Sequence, residues 1–487
     1  MISEIKKDRQ TFQDEQNELL KTILDARFFK PWSKEYTNPS DVPIGALELF
    51  LTSYCNQKCE YCYLIKHEDL YPKQYNEKSL IMKNLAHIFD WILDKNYHIP
   101  VIELFSGEIW NNEWGLEVLD LALTYIKNGM RVDQFLIPSN CSFLMDKKQS
   151  HKIQQFIDEF KLYNSAIIFS LSVDGKIIEE KERPLNNGEI KTDDFYESLF
   201  MFAKHNNFGF HPMLSANSAK YWIENYKWWK KMLHKYDMTL SQMMLLEVRS
   251  DTWTEENIKD YQKFLRYMID DIINFHGEEY FDYAVEDLLF CNQTYITDPK
   301  EPLVYNSGTP YIPIVLPEIK GYYGCTISTS LTLRVGDLAL CPCHRSAYNK
   351  YLFGWLTQDE NGAIDGIKAN NPQMAIPLYI LDKNAGALKC DCCIYNNYCL
   401  GICCGHSIEQ TGDPFRQVDN TCHFLQEKFK FLIKTYKEIG LLDWLEKNVT
   451  PYHVFYPQAQ RLQQLYKNVL EEENNERLEE RRQAFYG

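Results

Sequence analysis

Six short runs of apolar and β-branched residues recur along the first 250 positions: 46–51 (ALELFL), 100–106 (PVIELFS), 134–139 (QFLIPS), 166–173 (AIIFSLSV), 210–215 (FHPMLS) and 243–248 (MMLLEV). The stretches between them space their apolar residues by three and four. Within 76–95, for example, Ile81, Leu85, Ile88 and Ile92 mark one face of a helix. Strands alternating with helices of this length predict repeated βα units and a parallel sheet, either a partial barrel or a doubly wound sheet. Residues 1–45 are polar, with a helix expected over 8–28 and an irregular stretch through 31–43. A helical piece over 254–275 precedes an aromatic, proline-dotted region without a clear period. Residues 325–422 are rich in turn formers and too irregular for a sizeable apolar core of their own. Helical patterns return over 423–447 and 457–484, the last charged and solvated, with acidic and basic residues at helical spacings. The parts expected are an N-terminal helical extension (1–45), an α/β unit (46–275), a bridging region (276–324), a cysteine-rich, turn-rich unit (325–422) and C-terminal helices (423–487).

The 487 residues are 45% apolar and 25% charged, ordinary for a globular chain. With 52 basic against 68 acidic side chains, the formal net charge is −16. That balance disfavours a nucleic-acid backbone or an anionic membrane as main partner, since both would repel it. No run approaches the length of a membrane span, and the N-terminus lacks the apolar core of a signal peptide, so a cytoplasmic address is expected. The cysteines change the picture more. There are fifteen: three lie within Cys55–Cys62, ten between Cys325 and Cys422, and only Cys141 and Cys291 stand apart. In a reducing compartment such clusters are metal ligands rather than disulfides. Bound metal would then stabilise the irregular 325–422 unit.

In LTSYCNQKCEYCYL, Cys55, Cys59 and Cys62 follow the first strand as C-x3-C-x2-C. Three thiolates on one loop can bind three irons of a [4Fe–4S] cluster and leave the fourth iron open. A structural zinc site, which would make the chain a zinc scaffold, normally closes with four ligands and paired C-x2-C spacings. This spacing, with Tyr61 just before the last cysteine, resembles the signature of radical S-adenosylmethionine (radical SAM) enzymes over roughly residues 46–275. The resemblance implies a partial (β/α)6 TIM-like barrel. It also implies an open iron chelated by the amino and carboxylate groups of SAM, whose one-electron cleavage yields a 5′-deoxyadenosyl radical. Family positions carry over one at a time. Ser106-Gly107-Glu108 matches the Gly-Gly-Glu-like motif that meets the SAM amino group, with serine for the first glycine. Ser139-Asn140-Cys141 stands where the family has Thr-Asn-Gly, with Asn140 toward substrate or ribose. Ser170-Leu171-Ser172-Val173-Asp174-Gly175 with Arg183 looks like the Ser-x-Asp-Gly…Arg pattern, Ser172 meeting ribose and Arg183 the SAM carboxylate. On residues alone, Asn140 and Asp174 also read as turn formers and Arg183 as a surface charge.

The later array runs Cys325, Gly336, Cys341, Cys390-x2-Cys393-x5-Cys399-x3-Cys403 and Cys422. It resembles the seven-cysteine SPASM domain of many radical SAM enzymes, which carries auxiliary [4Fe–4S] clusters; zinc ribbons are the alternative. By that pattern Cys390, Cys393, Cys399 and Cys422 close one cluster, and Cys325, Cys341 and Cys403 hold a second, nearer the SAM site. Cys341-Pro342-Cys343-His344 offers two second ligands: spacing from Gly336 selects Cys341, the Pro-Cys-His run selects Cys343, and both together would fill a four-ligand site. Cys392 and Cys404 read as non-ligating neighbours, and Cys141 and Cys291 as buried thiols.

SPASM-bearing relatives mostly act on peptides or proteins, so the implied activity is a peptide maturase that installs a thioether or carbon cross-link in a ribosomally made peptide. The sulfatase-maturing (formylglycine-forming) type carries an aspartate after the second SPASM cysteine, which Pro342 and His344 replace here. A small-molecule radical SAM dehydrogenase is the nearest rival. His344 reads as a proton acceptor or as a plain structural histidine. Only 54 residues precede Cys55, and they lack three strand signals. A complete leader-binding module is therefore not expected; a separate leader-peptide-binding protein, or recognition by segment 276–324 or by the C-terminal helices, is. An external electron donor of the flavodoxin or ferredoxin kind completes the expected partners.

Overall fold

The structure is a computed structural model. It describes residues 2–33, 45–105, 107–111, 114–277, 281–290, 314, 316, 330–375, 388–399, 403–453 and 455–486. Ser106, Cys291 and Cys325 lie outside the described residues.

All six expected strands form: β1 (Ala46–Phe50), β2 (His98–Phe105), β3 (Arg131–Ser139), β4 (Ala166–Leu171), β5 (Met213–Leu214) and β6 (Leu246–Glu247). Helix α1 (Ile2–Arg27) precedes them. Helices α2 (Lys78–Asp94), α3 (Trp114–Lys127) and α4 (Lys147–Lys161) follow β1, β2 and β3. Helices α5 (Lys176–Glu182) and α6 (Asp193–Asn206) follow β4, α7 (Trp222–Lys235) follows β5, and α8 (Glu255–His276) follows β6. Strands β1 to β4 pair in parallel in sequential order. Parallel bridges Leu171–Phe210 and Phe210–Met243 carry the curve on to β5 and β6. A doubly wound sheet would reverse its strand order at a switch point; sequential order along one curve is a partial barrel. The last two strands are shorter than the pattern predicts. Pro212, within the fifth run, has no N–H to donate, which divides that strand into a bridge and a two-residue pair.

Alternation sorts the strand faces. Leu47, Leu49, Ile102 and Leu104 pack outward against Ile81, Leu85 and Ile88 of α2 in the main apolar core. On the opposite face Glu48 and Phe50 of β1 register with Glu103 and Phe105 of β2, and Phe50 stacks on both Phe105 and Tyr71.

The 325–422 segment departs from expectation. Strand β7 (Ser330–Arg334) pairs in parallel with the free edge of β1. Strands β8 (Ala339–Cys341), β9 (Gly354–Gln358) and β10 (Ile364–Ala369) extend the same sheet antiparallel, to eight strands in all among the described residues. The unit expected to be irregular is thus in part a continuation of the barrel sheet, with β7 and β8 fully buried and β9 and β10 partly exposed. Helix α1 covers the outer strand: Gln13 Nε2 donates to Ala369 O (2.8 Å) and Asn17 Oδ1 accepts from Ala369 N (2.8 Å), which satisfies backbone groups at a sheet edge. Helix α9 (Phe281–Phe290) lies beside α8. Helix α10 (Cys404–Thr411) leads to α11 (Asp419–Glu438), α12 (Leu441–Asn448) and α13 (Tyr456–Tyr486). The single helix expected over 423–447 breaks at Gly440, whose φ of 81° is left-handed. Helix α11 docks on the barrel through the stack of Phe424 on Trp253 (centroids 3.9 Å apart) and a buried ion pair from Lys428 to Glu247 at the end of β6. Among the described residues no helix is long and apolar enough to cross a membrane.

Candidate functional site

The three N-terminal cysteines occupy the loop that leaves β1, fastened from below by the loop that leaves β2. Gly107 N donates to Thr52 O (2.7 Å) and Glu108 N to Tyr54 O (2.8 Å). A Cβ at position 107 would lie 2.1 Å from Tyr54 O, so only glycine permits this approach. Cys59 is buried; Cys55 and Cys62 are half-buried. Burial pushes the Cys55 thiol up to about 12, with the Glu108 carboxylate adding to it. Burial likewise raises Cys59 and Cys62; Cys62 adds to the rise at Cys55, and both Cys62 and Cys55 add to it at Cys59. Thiolates packed together in this way are unfavourable without a cation among them, and an iron–sulfur centre supplies one. The donor set therefore fits such a centre.

Around that loop runs a buried polar network. Arg183 Nη1 donates to Asp174 Oδ1 (3.0 Å) and to Tyr61 OH (3.1 Å). Its Nη2 donates to Gln57 Oε1 (3.3 Å), and its Nε lies 3.1 Å from Glu179 Oε1. Tyr61 OH donates to Asp174 Oδ2 (2.6 Å), and Lys191 Nζ lies 2.6 Å from Glu179 Oε2. Against the cost of burial, Arg183 and Lys191 hold the Glu179 carboxyl below the ordinary range. The expected partner of Arg183 was a SAM carboxylate. Here its guanidinium, 5% exposed, is committed to two carboxylates, Gln57 and Tyr61. It therefore holds the cysteine loop against α5. Tyr61, expected beside the cofactor, belongs to the same clamp.

Glu108 is buried and accepts from Asn140 N (2.7 Å), from Ser139 Oγ (3.2 Å) and from Trp110 N (3.4 Å). Burial pushes its carboxyl up to about 7, against those donors. Asn140 Nδ2 donates to Asn56 Oδ1 (2.7 Å) beside Cys55, and Asn140 Oδ1 accepts from Ser142 N (2.9 Å). Cys141 takes a left-handed backbone (φ 62°), the conformation for which the family pattern carries glycine. Ser172, half-buried, donates its N–H to Ser139 O (2.8 Å).

The C-terminal thiols separate differently from the expectation. Cys390, Cys393, Cys399, Cys403 and Cys422 line one cavity of about 240 Å³. Gln417 Nε2 donates to Cys390 Sγ (3.3 Å). Burial raises the Cys422 thiol to about 12, with Cys399, Cys390 and Cys393 adding to it. Cys403 thus faces the same cavity as the other four, rather than standing apart with Cys341. Cys341 is fully buried in an apolar cluster with Phe50, Leu64 and Tyr71. Cys343 is half-buried beside α10, packed on Cys404, with its Sγ 2.9 Å from where a Cβ of Gly405 would sit. Cys404 is buried behind it, and Cys392 is exposed. Among the described residues no three Cys, His, Asp or Glu side chains converge closely enough for a single metal ion.

His344 lies inside the barrel end. Its ring stacks on Phe105 (4.1 Å, 14°) and its Nδ1 is 3.1 Å from Glu48 Oε2, which also accepts from Thr332 Oγ1 (2.6 Å). Burial disfavours its charge, but Glu48, helped by Glu103, holds its pKa above the usual value. Glu48, Glu103, Glu179 and Lys191 are site residues that sequence reasoning passed over. The signal was present for two of them: the first two strands both carry Glu-Leu-Phe, and period-two alternation puts Glu48, Phe50, Glu103 and Phe105 on one face.

A partial parallel barrel bearing three thiols on its first strand-end loop, with a cysteine-lined cavity beyond it, resembles the radical SAM enzymes. No sequence-family model matches the chain. Over 189 residues it is 24% identical to the radical SAM cyclopropyl synthase TigE of Paramaledivibacter caminithermalis, covering 37% of each protein; the chain thus spans little more than a third of that curated relative's length. Among solved structures it resembles native anSMEcpe with bound AdoMet (TM-score 0.49, 18% identity, 81% of this chain and 100% of that one). It also resembles native anSMEcpe with bound AdoMet and Cp18Cys peptide (TM-score 0.48, 16% identity, 81% and 99%).

Proposed function

We propose that this chain is a radical SAM enzyme with SPASM-type auxiliary clusters that abstracts hydrogen from a peptide or protein substrate. The observation that carries the reading is the Cys55–Cys59–Cys62 loop: three thiols on the first strand-end loop, fastened by Gly107 on one side and by Arg183 through Gln57 on the other. Those thiols would hold three irons of a [4Fe–4S] cluster, with Glu108, Asn140 and Ser172 about the SAM site. When bound, the cluster and SAM supply a 5′-deoxyadenosyl radical on one-electron reduction. The chain's own work is to keep the loop rigid, exclude water and present a target C–H. Glu108, its carboxyl pushed up to about 7 by burial, becomes a better partner for an ammonium group that restores the charge balance around it. Cys390, Cys393, Cys399 and Cys422 would hold one auxiliary cluster; a second would draw on Cys325, Cys341, Cys343 and Cys403, the last of which also lines the cavity of the first.

His344 serves as the proton acceptor. With Nδ1–H donated to Glu48, Nε2 is the basic nitrogen. Removing a substrate hydrogen atom and then a proton leaves one electron, which an auxiliary cluster would accept, and that balance favours a thioether or carbon bond in a ribosomally made peptide. A separate leader-binding protein, an external low-potential donor and a cytoplasmic address complete the reading. The test is anaerobic reconstitution followed by SAM and dithionite. About eight to twelve irons per chain and release of 5′-deoxyadenosine are expected. Cys55→Ala/Cys59→Ala/Cys62→Ala should end cleavage while the other irons stay; persistent cleavage, or a zinc-loaded sample indifferent to SAM, overturns the reading.

A further inference from the structure

At the C-terminal cavity, side-chain amides point at sulfur. Cys390, Cys393, Cys399 and Cys422 line that one cavity, and the first three each add to the rise of the Cys422 thiol. Gln417, half-buried in the turn before α11, donates Nε2–H to Cys390 Sγ (3.3 Å). Gln426 stands one turn beyond Cys422 on α11. From the exposed side of the helix it aims Nε2 at Cys393 Sγ (3.9 Å). The Tyr395 N–H reaches the same sulfur. Among the described residues neither glutamine side chain has a second hydrogen-bond partner. An amide that only fastened the chain would be given to a backbone oxygen, as Gln149 Nε2 is to Trp110 O (2.8 Å).

Resting on the reading above, we propose that Gln417 and Gln426 are positioning residues that raise the reduction potential of the cluster held by Cys390, Cys393, Cys399 and Cys422, each by donating an N–H to one of its sulfurs. When that cluster takes up one electron, left by the substrate or supplied by a low-potential donor, its charge falls by one unit; no bond forms or breaks and no proton moves. The added negative charge is shared by the sulfurs, so a donated N–H stabilises the reduced form more than the oxidised one. Gln417 has the shorter contact and the less exposed site, and therefore the larger effect. Asp419, whose charge is felt at Cys422, acts in the opposite direction.

The test is a redox titration followed by electron paramagnetic resonance. It uses the full chain, reconstituted without oxygen and carrying Cys55→Ala/Cys59→Ala/Cys62→Ala so that only C-terminal clusters titrate, with iron and sulfide counted. The signal that changes in Cys422→Ala identifies the cluster; if none changes, the cluster is not held there and the inference fails. Gln417→Leu should lower the midpoint of that signal by about 59 mV, the equivalent of a tenfold change in the one-electron equilibrium. Gln426→Leu should lower it by less, and Asp419→Asn should raise it, all at unchanged iron content. If Gln417→Leu loses iron, the exposed Gln426 and Asp419 variants carry the comparison. Opposite shifts at full iron are not what merely structural side chains would produce. Full iron with unmoved midpoints, or with all shifted the same way, overturns this inference alone. A parent without iron overturns the functional reading and this inference with it.

Discussion

Replacing Arg183 by glutamine separates its two possible roles. In the structure its guanidinium meets Asp174, Glu179, Gln57 and Tyr61, all within 3.3 Å, and the two carboxylates are 0% and 2% exposed. Lys191 offsets one of those carboxylates through Glu179. Arg183→Gln therefore leaves a net buried negative charge at Asp174, and breaking a buried ion pair from one side costs about 3–5 kcal/mol. For a unit the size of this barrel that corresponds to a fall of roughly 10 °C in apparent melting temperature. The same substitution frees the Gln57 end of the cysteine loop, so iron at the first array should be lost before SAM is added. The assays are calorimetry of the chain and iron retention after gel filtration, each without and with SAM. If Arg183 instead spent its charge on the ligand, Arg183→Gln would melt normally, keep its iron and bind SAM more weakly. That outcome would refute the clamp.

Three further outcomes follow from the same geometry. Gly107→Ala drives a Cβ to 2.1 Å from a backbone oxygen that cannot yield; a loss of about 1–3 kcal/mol is expected, with iron retained several-fold less well at the first array, read by chelator challenge. Glu182, buried and bonded to Ser215 Oγ at 2.6 Å, has its carboxyl pushed up to about 7 by burial, so the folded chain binds a proton the unfolded chain has lost. Its contribution falls as pH rises from the ordinary glutamate value to about 7, and Glu182→Gln should gain on the parent across that interval by about 2 kcal/mol, measured by urea melts at pH 5 and pH 8. Lys428→Met abandons the buried Glu247 carboxylate to Tyr261 (2.7 Å) and should cost about 3–5 kcal/mol; adding Glu247→Gln should recover most of that, and a double variant no better than the single would refute it.

The barrel was legible because its information is local. Alternation within ten residues marks each strand, and the three cysteines and Gly107 sit at strand ends where a parallel barrel works. What escaped is non-local. The run SLTLR at 330–334 reads as strand only beside Ala46–Phe50, some 280 positions earlier, and cysteines and turn formers obscure its neighbours. Arg183 was recognisable as important but not as occupied, since its acceptors Asp174 and Glu179 reveal themselves only once α5 turns them inward. Spacing could not choose between Cys341 and Cys343. Cys341 ends strand β8 in the apolar cluster, while Cys343 lies past the strand end, where the chain turns to meet α10.

The pairing of β7 with β1 also decides how the two arrays relate. Glu48 registers with Thr332 and Phe50 with Arg334, so the strand that delivers Cys55 and the hairpin that delivers Cys343 and His344 are adjacent members of one hydrogen-bonded sheet. Their separation is set by strand spacing and not by a linker. A fragment ending at residue 324, where cysteine content alone would divide the chain, therefore bares the whole edge of β1. It also removes Thr332 and His344 from the buried Glu48 carboxylate. Unpaired strand edges aggregate, and a buried acid without its donors is costly. Expressed alone, residues 1–324 should be largely insoluble, or soluble without iron at Cys55, Cys59 and Cys62. A monomeric 1–324 fragment that binds four irons and cleaves SAM would show that the shared sheet is dispensable.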